Sequence, residues 1–138
     1  MIVDLSDLEA LENASSTLGL FPSSSGDVTL DPIHYEEAWT LSKGHCARAM
    51  RSLGYHHLYK HRPEEAIECF EKSISVNAMQ IPVWYSIGCT SLMIDDPKRA
   101  EKAFLRCVHL DYDNYEAWTN LASAQVKLGF KVSHSLFL

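Results

Sequence analysis

A 34-residue period constrains this chain more than any other feature. Trp84 and Trp118 stand 34 positions apart, as do Gly54 and Gly88, Ala66 and Ala100, Phe70 and Phe104, and Leu58 and Leu92. Leu53, Ile87 and Leu121 keep the same register, so the period runs without a gap from Ala47 to Gly129. A unit of that length holds two helices and their turns, and no such pair buries its apolar face alone. Successive pairs must therefore stack, with each burying one face on the next.

Local signals place the helices. The first full unit has a helix from about Ala47 to Lys60 and a second from Pro63 to Val76, with Asn77 to Gln80 as the turn. Pro63 suits the first helical position, where its missing N–H costs nothing, and Glu64 and Glu65 favour the positive end of the helix dipole. The second unit runs from Pro82 to about Ile94 and from Pro97 to about Leu110, capped by Asp95 or Asp96. Lys98 and Arg99 oppose the dipole there, a local conflict. A third unit opens at Asp113, which has capping-box spacing to Glu116, and its first helix ends at Leu128 with Gly129 as a left-handed cap. Upstream, Tyr35, Ala38 and Leu41 fall at helical spacing behind Glu36 and Glu37, which suit a first turn. They read as the second half of an incomplete unit, joined through Ser42-Lys43-Gly44-His45 with one extra residue.

The chain divides accordingly. Residues 1–30, with one short amphipathic stretch around Leu5, Leu8 and Leu11, contain Ser, Pro and Gly clusters that bury too little surface to offset ordering entropy, and read as loosely structured. A helical array follows over 31–129, with a partial unit at 31–46, units at 47–80 and 81–114, and half a unit at 115–129. Residues 130–138 read as an irregular tail, because no small residue is followed four positions later by an aromatic, as Ala66 is by Phe70. Within the array Gly54, Gly88 and Ala122 let a paired helix approach closely, and Ala66 and Ala100 do so from the other side. Phe70, Trp84, Phe104 and Trp118 are expected to fill the space between pairs. Both ends look uncapped.

The spacing of these glycines, alanines and aromatics resembles that of tetratricopeptide repeats over about 47–129, and more weakly over 31–46. It departs at Met50 for the first tryptophan, at Ala78 and Tyr112 for a closing proline, and at His57, Ser91 and Gln125 for a tyrosine. The resemblance implies an all-α, tetratricopeptide-type helical-hairpin solenoid. It also implies a truncated piece, since the family members sharing these stretches are much longer chains.

In that family the first helices line a concave groove. Here the inward stripe carries Arg48, Arg51, Tyr55 and Tyr59, then Tyr85, Cys89 and Met93, then Thr119, Ser123 and Lys127. Spacings of three and four put each set on one helix face, away from the packing stripe of Met50, Leu53, Gly54 and His57. The expected function is a non-catalytic scaffold whose groove binds a segment of a partner protein. The carboxylate clamp of chaperone-binding members does not carry over, since Arg51, Tyr55 and Ser86 occupy the corresponding places. Self-association through the uncapped ends is a further expectation.

Other classes have less support. The formal charge of −6 argues against nucleic acid as a partner. No run approaches the roughly 18 apolar residues of a membrane helix, and the N-terminus lacks the basic start of a signal peptide. Cys46, Cys69, Cys89 and Cys107 form no CxxC pair and read as reduced structural thiols. An intracellular, cytoplasmic protein follows, with the nucleus left open. His57 and His61 have the i, i+4 spacing of metal ligands, but without an HExxH motif they read as packed or solvated, so neither metal nor cofactor is expected. The adjacent carboxylates Glu36–Glu37 and Asp95–Asp96 read as helix-start residues. Asn114-Tyr115-Glu116-Ala117-Trp118 is similar to an element of protein prenyltransferase alpha subunits, which makes such an enzyme subunit the alternative. A truncated product without independent function is the third.

Overall fold

A computed structural model describes residues 32–129; the N-terminal segment and the tail expected above lie outside the described residues. Six helices follow one another: α1 Pro32–Leu41, α2 Ala47–Tyr59, α3 Pro63–Val76, α4 Ile81–Met93, α5 Pro97–Leu110 and α6 Tyr115–Lys127. Each packs against the next in sequence, and α4 also touches α6. The all-α solenoid expected from the 34-residue period is what forms.

Each helical pair closes around a glycine and an aromatic ring. A Cβ on Gly54 would stand 2.5 Å from the Phe70 ring, and one on Gly88 would stand 2.5 Å from that of Phe104. Both rings are fully buried, as are Ala66 and Ala100. The period therefore records a close approach of α2 to α3 and of α4 to α5, each stabilised by burying one Phe, a contribution of about 2 to 3 kcal/mol. Ala122, the third member of the glycine series, is exposed.

The tryptophans do something other than fill the core. Val83 and Ala117, one position earlier, are fully buried, whereas Trp84 is half-buried and Trp118 is 41% exposed. Each indole Nε1–H donates a 2.8 Å hydrogen bond to the turn before its helix, Trp84 to the Ala78 carbonyl and Trp118 to the Tyr112 carbonyl. The two carbonyls belong to the positions where a closing proline is usual in the family, and the indole ties that turn down.

The turns repeat as well. His61, Asp95 and Gly129, again 34 apart, have φ of 58°, 58° and 76°. Each follows a first helix in the left-handed conformation, and His61 and Asp95 reverse the chain there; Gly129 is the left-handed residue expected. Asp96 and not Asp95 caps α5, its side chain accepting from the Arg99 N–H at 3.2 Å. The start of α6 differs from expectation: Asn114, not Asp113, accepts from the Ala117 N–H at 3.0 Å, because the helix begins two residues beyond Asp113.

At α1 two expectations fail. Glu36 and Glu37 fall beyond the first turn, since the helix starts at Pro32, and Leu41 is 60% exposed. Tyr35 is the buried residue of this helix, and Ala38 and Trp39 pack beside it. The extra residue in the linker to α2 is absorbed by consecutive left-handed residues, Lys43 and Gly44, at φ of 53° and 76°. Buried Ser42 holds this turn, with its Oγ accepting from the N–H groups of His45 and Cys46.

Candidate functional site

The ten residues expected to line a groove fall into rows that cross the first helices. Arg51, Tyr85 and Thr119 form one row, Tyr55, Cys89 and Ser123 the next, and Tyr59, Met93 and Lys127 the third, with Arg48 one turn before the first. On α2 and α4 exposure is greatest in the third row. Arg48, Arg51, Tyr85 and Cys89 are half-buried, Tyr55 is partly exposed, and Tyr59 and Met93 are 58% and 71% exposed. Thr119, Ser123 and Lys127 are exposed on α6, which packs on α4.

The first row is held from below. Ser73 Oγ on α3 donates to the Ala47 carbonyl at 2.7 Å, joining the two helices of a unit. Gln80 Nε2 donates to Ser73 Oγ at 3.0 Å and to the Asn77 carbonyl at 2.9 Å, which turns Gln80 Oε1 toward α2. Arg51 Nη1 donates to that oxygen at 3.3 Å. The guanidinium is thus steered by a neutral amide, and no carboxylate among the described residues pairs with it.

Tyrosine hydroxyls bridge one helix to the next. Ser86 Oγ gives its proton to the Pro82 carbonyl at 2.9 Å, so Tyr55 donates to Ser86 Oγ across the 3.1 Å that separates them. Asn120 Nδ2 donates to the Tyr85 hydroxyl at 2.9 Å. Both tyrosine rings also meet a core ring edge-on, Tyr55 with Phe70 at 5.0 Å and Tyr85 with Phe104 at 5.7 Å. Burial raises the Tyr85 pKa, the Cys89 thiol beside it raises it further, and the Asn120 bond partly offsets them. Burial raises that of Cys89 too. Both groups stay protonated near neutrality, so Tyr85 and Cys89 present polar, uncharged groups.

The expected residues therefore divide. Tyr55 and Tyr85 carry part of the helix packing, while Tyr59 and Met93 stand largely in solvent. Gln80, Ser86 and Asn120, which fix the face, were missed. A signal for Ser86 and Asn120 existed: with Ser52 they occupy one place in the period, and each pairs with a tyrosine hydroxyl, Ser52 with that of Tyr35. A polar residue recurring beside a packing stripe marks a bond between neighbouring units.

Other candidate chemistry has a structural account. Among the described residues no three His, Cys, Asp or Glu stand close enough to hold a metal ion. His61 turns the chain, and His57 lines a groove between α1 and α3. In the Asn-Tyr-x-x-Trp stretch, Asn114 caps a helix, Tyr115 is 79% exposed, and Trp118 ties down a turn. No described helix is long and apolar enough to cross a membrane.

Comparison with known proteins agrees with this architecture. A tetratricopeptide repeat model matches residues 47–78. A TPR repeat-containing protein of Schizosaccharomyces pombe is 39% identical over 102 residues, which are 74% of this chain and 12% of that protein. The tetratricopeptide repeat protein 27 homolog of Dictyostelium discoideum is 35% identical over 70 residues, 51% of this chain and 8% of its own length. This chain thus spans a small part of these relatives. Among solved structures, MamA superimposes with a TM-score of 0.66 at 19% identity, over 90% of this chain and 63% of MamA. PcrH, crystallised in complex with the chaperone binding region of PopD, does so with a TM-score of 0.57 at 18% identity, over 91% and 88%.

Proposed function

Because this chain belongs to the tetratricopeptide repeat family, we propose that it is a non-catalytic interaction module whose first-helix face binds a segment of a partner protein. The observation that carries this is the row of inter-helix bonds from Arg51–Gln80 through Tyr55–Ser86 to Tyr85–Asn120. It holds the helices so that Tyr59 and Met93 project from the face that also carries a steered cation, Arg51. Exposed aromatic and thioether side chains supply contact area, and the Arg51 guanidinium, without a carboxylate partner among the described residues, pairs with an acidic group of the ligand. PcrH, of similar fold, is a precedent for such an array holding a protein segment.

The test is a cross-linked pull-down from cell extract comparing the chain with an Arg51→Glu, Tyr59→Ala, Met93→Ala variant. These positions avoid Tyr55 and Tyr85, which contribute to packing, so the variant is expected to keep its helicity by circular dichroism. Loss of a partner by the variant alone supports the face as the recognition surface; equal recovery by both overturns it.

A further inference from the structure

A second groove lies between the second helices α3 and α5, away from the face just described. It encloses about 610 Å³ over Trp84 and Ile74, and its α5 wall carries Lys98, Arg99 and Lys102. Arg99 is committed to two acids, with Nε 3.6 Å from Glu71 and 3.6 Å from Asp96. Lys98 and Lys102 form no ion pair among the described residues, and Arg106, one turn further on, lies over the Trp84 ring at 5.5 Å. Lys98 stands at the positive end of the α5 dipole, where a cation is disfavoured, so helix formation does not account for it.

Nor does the repeat itself require this charge. The equivalent groove one unit upstream, between α1 and α3, encloses about 380 Å³ and is lined by Glu36, Glu65, Glu68 and Lys72. The same place in the solenoid is acidic there, whereas here Lys98, Arg99 and Lys102 outnumber the lining carboxylates Glu71 and Asp96, both of which Arg99 pairs, over apolar floors in both.

We infer that the basic groove between α3 and α5 is occupied by this chain's own N-terminal segment, residues 2–12. Residues 1–31 contain Asp4, Asp7, Glu9, Glu12, Asp27 and Asp31 and no Lys, Arg or His. Within that stretch Leu5, Leu8 and Leu11, at helical spacing, alternate with four of the carboxylates, which matches an apolar floor with a cationic wall. The nineteen residues between Glu12 and Pro32 reach up to about 65 Å when extended, against about 10 Å between packed helices. Tethering holds the segment at millimolar effective concentration. The acidic groove nearer its attachment point repels it, so charge selects the further one.

Zero-length carbodiimide coupling of carboxylates to amines in the monomeric fraction of the full chain tests this by peptide mass spectrometry. The expected result is coupling of Asp4, Asp7, Glu9 or Glu12 to Lys98 or Lys102 at least fivefold above coupling to Lys60 or Lys72, abolished in 0.5 M salt. A charge-reversed segment, Asp4→Lys with Asp7→Lys, reads the same docking without altering the array: the Trp84 indole resonance in a proton–nitrogen spectrum shifts while that of Trp118 stays. Coupling spread evenly over the lysines, coupling found only between chains, or an unmoved Trp84 resonance overturns the proposal.

Discussion

At the scale of single residues, the glycine and aromatic positions of the period are one constraint seen twice. A methyl group on Gly88 would meet the Phe104 ring at 2.5 Å, and that ring is fully buried among neighbours that leave it no room. Gly88→Ala is therefore expected to lower stability by about 1 to 3 kcal/mol, seen as a fall in Tm. His61 presents the opposite case. Its φ of 58° strains a side chain at a place where the third unit has Gly129, so His61→Gly should raise stability by about 1 kcal/mol in the same melt. The buried thiols add a pH dependence. Burial pushes Cys107 and Cys69 up to about 11 from 9.0, so the folded chain keeps protons that the unfolded chain releases. The resulting stability is fully present below pH 9 and is lost as pH rises toward 11. Urea midpoints should fall over that window, and fall less steeply in a Cys107→Ala variant.

At the scale of elements, the ends of the helices were legible wherever proline and a short polar residue marked them. Pro63–Val76 and Pro97–Leu110 were read directly, because a proline at the first turn and a cap are local signals. The start of α6 was misplaced because Asp113 and Asn114 both have capping side chains, and the choice depends on where the preceding turn delivers the chain. Asp96 ties two roles together, capping α5 and pairing with Arg99. Asp96→Ala should cost about 1 kcal/mol, measured by chemical denaturation. Bulk and period alone do not distinguish a buried ring from one that ties a turn through its N–H, which is why the tryptophans look like core fillers in the sequence. Trp84→Phe keeps an aromatic ring of smaller size and removes the bond to Ala78, with an expected loss of at least about 1 kcal/mol in the same denaturation.

At the scale of the whole molecule, stability is a chain of nearest-neighbour contacts. Helices α4 and α5 are packed on both sides, whereas α1 is packed by α2 and α6 by α5 and α4. Amide exchange should therefore be slowest in α4 and α5 and fastest in α1 and the last turns of α6. Uniform protection would show that the array unfolds as one unit. By itself the sequence determined the number and order of the helices over the described residues, and the pairing of Gly54 with Phe70 and Gly88 with Phe104. Those features recur every 34 residues because each unit solves the same packing problem against the next. Only the tertiary structure decided which polar groups meet: Arg51 with Gln80, Tyr55 with Ser86 and Tyr85 with Asn120. These bonds span from 29 to 35 residues, and each forms according to how one helical pair is rotated on its neighbour. Periodicity carries no information about that angle, which is set by the shapes of all the buried side chains together.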